Sequence, residues 1–264
     1  MKTKFALALA ASTLLATAAH ADPFVNGGFE TGNFNGWTVS NSAYRASINN
    51  ANLTPDWVFA NDNYAMHSQI ISAGTVDPHV GAAFGSTVYA GNYSARIEDT
   101  IWGGYASAIT QTVTNYTEDS INFVWKAVLE GAHGVDDAAT FKLVLTDLTD
   151  GTDLITREYN AASSGSGVDS RFSSSGGYYY TQDWQIETLT INDSLKGHDF
   201  MLSLVAADCQ QTGHLGYVYL DGFGGVAGGG GDDTDPNAVP EPATLAMLGL
   251  GLLGMTATRR RKNS

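Results

Sequence analysis

Ile121, Phe123, Trp125, Ala127 and Leu129 recur at every second position, with Asn122, Lys126 and Glu130 among the alternate positions. A period of two is the geometry of a β-strand, whose successive side chains point to opposite faces. The pattern returns at Phe141, Leu143 and Leu145, opposite Lys142 and Thr146, and at Phe200, Leu202 and Leu204, with Ser203 across. Further strands are predicted within 87–97, 106–114, 153–159, 186–191 and 216–223, separated by turn signals such as Asp150-Gly151, Lys196-Gly197 and Gly103-Gly104. About ten short strands with no sustained helical period predict an all-β fold, a jelly-roll β-sandwich. One or two helical turns are expected over 64–71, and the Ser/Gly-rich stretch 161–177 reads as a long loop.

Both ends depart from this pattern. At the start, Lys2 and Lys4 precede an apolar segment, and Ala19-His20-Ala21 has the small-x-small form of a signal-peptidase site. Residues 1–21 are therefore predicted to be a signal peptide. The sandwich domain is assigned to 22–226 and a Gly/Asp-rich linker, without core-forming residues, to 227–238. The last part, 239–264, has three pieces in order. Pro240, Glu241 and Pro242 come first, then an uncharged apolar run over 243–258, then Arg259, Arg260, Arg261 and Lys262. The run is 16 residues long, a little short of the roughly 20 that a comfortable transmembrane helix needs. Four cations on its far side favour the cytoplasmic face.

With both ends removed, seven Lys and Arg stand against 26 Asp and Glu, a net charge of −19. Such a surface repels nucleic acid and anionic lipid. Cys209 is the single cysteine, so no intrachain disulfide can form, and the exported body must rely on its core or a metal.

The tail resembles the PEP-CTERM sorting signal of Gram-negative envelope proteins. That resemblance implies recognition at Pro240, Glu241 and Pro242 by an exosortase, transient anchoring in the inner membrane, and delivery to the cell surface or extracellular matrix. The opening of the body, Asn26-Gly27-Gly28-Phe29-Glu30-Thr31-Gly32 followed by Phe34, Gly36 and Trp37, resembles jelly-roll carbohydrate-binding modules of the galactose-binding-like type. In that family a Glu after the Phe joins an Asp near the domain end at a structural Ca2+; the matching positions are Glu30 and Asp221. The segments 125–133 and 207–221 resemble those of secreted β-sandwich modules in surface and adhesion proteins, a family that carries no activity over.

Other candidate residues come from chemistry alone. Trp57, Trp102 and Tyr105 sit beside Gly, Pro or Asp, and Tyr179 lies in the triple tyrosine after the long loop. Exposed rings with nearby carboxylates stack on sugar faces and bind hydroxyls, while ordinary sandwich packing is the alternative for each ring. His133, Asp208 and His214 could hold a transition metal if they converge. The plainer reading has Asp208 and His214 pinning a loop and Cys209 packed as a small apolar group. No nucleophile elbow, HExxH, P-loop or dinucleotide fingerprint is present. The sequence thus predicts a non-catalytic, exported, exosortase-sorted protein that binds extracellular polysaccharide. The alternative is a structural or adhesion component of the matrix without a small ligand. A secreted hydrolase has no motif behind it.

Overall fold

The computed structural model describes residues 24–45, 48–162, 167–210 and 213–224. The predicted signal peptide, linker, sorting motif, apolar helix and basic end therefore lie outside the described residues. The elements run β1 (Thr38–Val39), β2 (Ala43–Tyr44), α1 (Pro55–Asn61), β3 (Gln69–Ser72), β4 (Tyr93–Ile97), β5 (Tyr105–Val113), β6 (Ser120–Glu130) and β7 (Thr140–Asp147). They continue β8 (Thr152–Asn160), β9 (Phe172–Ser175), β10 (Tyr178–Thr181), β11 (Gln185–Thr190), β12 (Phe200–Ala207) and β13 (Gly216–Gly224). One sheet has the order β1-β5-β12-β7-β8, with β2 also on β5; the other has β3-β4-β13-β6-β10-β9, with β11 also on β6. Every pairing is antiparallel. The body is a jelly-roll β-sandwich, as the alternation predicts.

The core lies between the sheets and is built from the predicted faces. Ile121, Phe123, Trp125, Ala127 and Leu129 of β6 meet Phe141, Leu143 and Leu145 of β7 and Phe200, Leu202 and Leu204 of β12 in one buried cluster. Trp125 is fully buried, with Phe141 5.1 Å and Tyr159 5.8 Å from its ring. The opening segment closes one end. Phe29 stacks on Trp37 at 5.2 Å, and Phe24 and Trp37 both reach Phe223 on the last strand. Phe223 N donates to Gly27 O, and the backbones approach so closely there that a Cβ on Gly27 would lie 1.6 Å from Phe223 O.

The outer faces are not left to water. Across the first sheet, Leu53 and Val58 pack with Ala106, Ala108, Val205 and Ala207, and Trp57 and Phe59 border this second cluster. On the other sheet, Phe84 covers Val128, Tyr180, Tyr217 and Tyr219. Asn122 and Lys126, which alternation places on the face of β6 opposite Trp125, are buried: Asn122 bonds Thr188, and Lys126 lies under Phe84. Lys126 Nζ donates to the carbonyls of Phe84 and Ser86 and sits 4.0 Å from the Phe84 ring centre. Burial lowers its pKa to about 8.

Two local expectations are corrected. The helix forms at Pro55–Asn61, where Thr54 caps it through its Oγ1 and Pro occupies the first turn, and not over 64–71. There the chain is extended: Tyr64 N bonds to Ser42 O, and Gln69–Ser72 pairs with β4. Within the predicted loop 161–177, Phe172–Ser175 forms a strand that turns back into β10 through Gly176 and Gly177, both at positive φ, as a tight hairpin requires.

Candidate functional site

Asp208 follows β12 and is fully buried. Its Oδ2 accepts the amides of Gly103, Gly104 and Tyr105 at 3.0–3.3 Å, and its Oδ1 accepts Gly216 N at 3.2 Å. Burial, reinforced by repulsion from Glu98, holds its pKa well above the usual carboxylate value. One side chain thereby sets the path of residues 103–105, and with it the position of Tyr105.

Tyr105 is the centre of an aromatic cluster. Tyr44 lies opposite it in the β2–β5 register, at 5.5 Å between ring centres. Tyr64 approaches to 5.2 Å edge-on and His67 to 4.9 Å. Tyr44 and Tyr64 remain 42% and 48% exposed, so these rings form an open surface. Glu98 underpins the cluster from a left-handed backbone conformation, φ 69°, that a glutamate seldom adopts. It is fully buried. Its Oε1 lies 2.5 Å from His67 Nδ1 and accepts Asp99 N, and its Oε2 accepts Ser107 Oγ at 2.8 Å. Asp99 Oδ2 is 3.2 Å from the same imidazole nitrogen. The hydrogen bond to Glu98 raises the His67 pKa.

A groove of about 410 Å³ continues from the ring cluster, lined by Met66, His67, Gln69, Val76, Arg96 and Asp99 among others. Arg96 Nη2 donates to Gln69 Oε1. Rings that are partly open, next to a groove offering guanidinium, carboxamide and carboxylate groups, can hold a ligand with alternating apolar and hydroxylated faces. The four rings predicted from sequence do not form one surface. Tyr105 is at the centre of the cluster. Trp102, 58% exposed, shares its loop, with the indole N–H donated to Glu130 Oε2 at 2.6 Å. Trp57 is half-buried against the cluster outside the first sheet, and Tyr179 packs on the inter-sheet core because alternation along β10 turns it inward. Tyr44, Tyr64 and His67 were not legible as site residues, since neither charge nor spacing marks them.

Glu30 and Asp221, the expected Ca2+ ligands, are near each other at the other end of β13. Glu30 accepts the amides of Asn92 and Tyr93. Buried Asp221 accepts those of Tyr89, Ala90 and Gly222. Burial raises the Asp221 pKa to about 7, with a contribution from the Glu30 charge. The groups facing these carboxylates are N–H donors, which compete with a cation for the same oxygens.

These shifts set the direction of the pH dependence. Asp221 gains its proton in the folded chain near pH 7 and in the unfolded chain near pH 3.9, so stability should rise as pH falls between them. His67 and His198, both with raised pKa, act in the same direction, since their contribution is lost as pH rises through the folded value. Asp169, lowered to about 2 by its hydrogen bond with Arg171, gives stability that is lost below about pH 4. The melting temperature is expected to be higher at pH 5 than at pH 8, and Asp221→Asn should flatten the slope. A flat wild-type profile would contradict this.

Residues 238–262 match the family model described as the PEP-CTERM protein-sorting motif. The tail is thus a sorting signal, which directs an exported chain to the cell surface. No curated protein matches the chain. Solved structures similar to it include the carbohydrate-binding module TmCBM61 in complex with β-1,4-galactotriose, at 13% identity and a TM-score of 0.38, covering 77% of this chain and 96% of that one. A non-crystalline-cellulose-specific module, CBM28, has 14% identity and a TM-score of 0.35 over 75% and 92%. The K2 cleaved adhesin domain of Lys-gingipain has 14% and 0.35 over 76% and 97%. No site residue is carried across from any of them.

Proposed function

We propose that the chain is an exported surface or matrix protein whose non-catalytic β-sandwich binds extracellular polysaccharide at the Tyr44–Tyr64–Tyr105 surface. Signal peptidase removes residues 1–21. The apolar run 243–258 and Arg259 to Lys262 anchor the chain transiently in the inner membrane, and an exosortase recognises Pro240, Glu241 and Pro242. The observation that carries the binding role is the open ring cluster, joined through His67 to a groove of mixed polar and apolar lining. Sugar rings present C–H faces that pack on tyrosine, and their hydroxyls match Asp99, Gln69 and Arg96. A hydrolytic role is disfavoured at this place. Glu98 is fully buried with both oxygens engaged by His67, Asp99 N and Ser107, so it is not open to a substrate, and Asp99 is left as a hydrogen-bonding group for hydroxyls.

The test uses the full chain purified in detergent and a panel of surface and plant polysaccharides. Tyr64→Ala is expected to weaken binding by about 2 kcal/mol, roughly 30-fold in Kd, and Tyr44→Ala similarly. Trp57→Ala should leave affinity unchanged. Binding that survives loss of both tyrosines refutes the assignment of the site. A chain that binds no polysaccharide at all supports the structural or adhesion reading, which the mutual packing of these tyrosines also accommodates.

A Ca2+ at Glu30 and Asp221 is proposed on the closeness of two carboxylates. Bound there, it would keep Asp221 ionised. Added Ca2+ should then raise the melting temperature at pH 8 and abolish the Asp221 share of the pH slope; excess chelator without effect removes the proposal.

A further inference from the structure

The chain's single cysteine ends up between two histidines that are distant in sequence. Cys209 follows β12, His133 lies beyond the end of β6, and His214 precedes β13. A ring nitrogen of each histidine and the Cys209 sulfur all lie within 4.8 Å of one another. Cys209 Sγ is 3.5 Å from His133 Nδ1, and the two imidazole ring centres are 4.6 Å apart. Asp208, the neighbouring carboxylate, turns away to the amides of 103–105. The ligand atoms gathered here are therefore two imidazole nitrogens and a sulfur.

We propose that His133, Cys209 and His214 form a binding site for a zinc-class divalent transition metal. Bond lengths of about 2.3 Å to sulfur and 2.0–2.1 Å to nitrogen place tetrahedral N and S ligands about 3.6 Å apart. The Cys209–His133 separation already has this value. Side-chain movement on the order of 1 Å brings the third ligand into range, within ordinary rotamer freedom. Thiolate and imidazole select zinc or copper over calcium and magnesium.

Two further features fit a metal. His214 Nδ1 is buried and has no hydrogen-bond partner among the described residues, a cost that coordination removes. Gly131 lies against the His214 imidazole, where a Cβ would meet the ring at 3.1 Å. His133 is exposed, and His214 lines a cleft of about 500 Å³ with Gly131, Ala132, Tyr178 and Tyr179. The site has an entry path and room for water as a fourth ligand. The ion would fasten the chain after β6 to the chain entering β13, in a protein whose lone cysteine permits no disulfide.

The test uses the untagged full chain in detergent, stripped with chelator, with Zn2+ as probe and Co2+ as spectroscopic reporter. One Zn2+ per chain is expected in competition with a chromogenic chelator. Co2+ should show tetrahedral ligand-field bands and a thiolate charge-transfer band. Cys209→Ser should abolish that band. His133→Ala, at an exposed position, should weaken Zn2+ by at least about 100-fold while circular dichroism stays unchanged. Failure to take up Zn2+ overturns the site. So does uptake undiminished in His133→Ala, which would place the ion elsewhere, as at His67, Glu98 and Asp99 or at Asp147, Asp150 and His198. His133→Ala remains decisive if Cys209→Ser does not fold.

Discussion

Asp208→Ala is expected to destabilise the sandwich by about 4 kcal/mol and to remove the ring cluster along with it. The substitution strips the acceptor from four backbone amides, those of Gly103, Gly104, Tyr105 and Gly216. A buried amide left unpaired costs about 1–3 kcal/mol, and the four share one site, so their costs do not simply add. Asp208→Asn keeps one carbonyl oxygen. Because burial already pushes the Asp208 carboxyl towards its neutral form, the amide should recover a large part of the loss. Urea unfolding followed by tryptophan fluorescence reads both variants. An Asp208→Ala chain within about 1 kcal/mol of wild type would mean that the loop is held by something else. Polysaccharide binding by the same variant separates the two roles: a folded chain with displaced Tyr105 should bind weakly at temperatures well below its melting point.

The second large effect is at the other end of the sandwich. Gly27→Ala should give little or no folded protein. Its Cβ would sit 1.6 Å from Phe223 O and 2.7 Å from Phe223 C. The obstacle is backbone on a strand paired with β6 and therefore cannot rotate aside. Opening the contact would separate Phe24, Phe29 and Trp37 from Phe223 and expose a cluster that is almost wholly buried. Burial of one large aromatic side chain contributes on the order of 3 kcal/mol, so the loss should exceed the usual range for a point substitution. Soluble yield and the cooperativity of thermal unfolding are the measurements. A well-folded Gly27→Ala chain with unchanged melting temperature would contradict this account of the opening motif.

The core was legible because alternation is local. Ile121 to Leu129, Phe141 to Leu145 and Phe200 to Leu204 announce a buried face through a period of two, and the structure uses those faces. The same rule set Lys126 and Asn122 on the opposite face, where they too are buried. It identifies two faces of a strand but not what covers the second, and here the chain around Phe84 lies over it. The helix at Pro55–Asn61 carried its signals, Thr54 and Pro55, in plain view. The expectation of helical turns over 64–71 failed because pairing with β4 outweighs local preference.

The candidate site was less legible for the same reason. Tyr105 meets Tyr44 only through the β2–β5 register, and Tyr64 and His67 only because their segment folds back on Ser42 and Glu98. Trp57 and Tyr179 have the right chemistry, but packing directs them to other clusters. By itself, then, the sequence determined the faces of the long strands and the sorting signal of the tail, since both are patterns among near neighbours along the chain. Tertiary structure alone decided which aromatic rings stay open to solvent and that His133 meets Cys209, because those proximities join residues tens of positions apart.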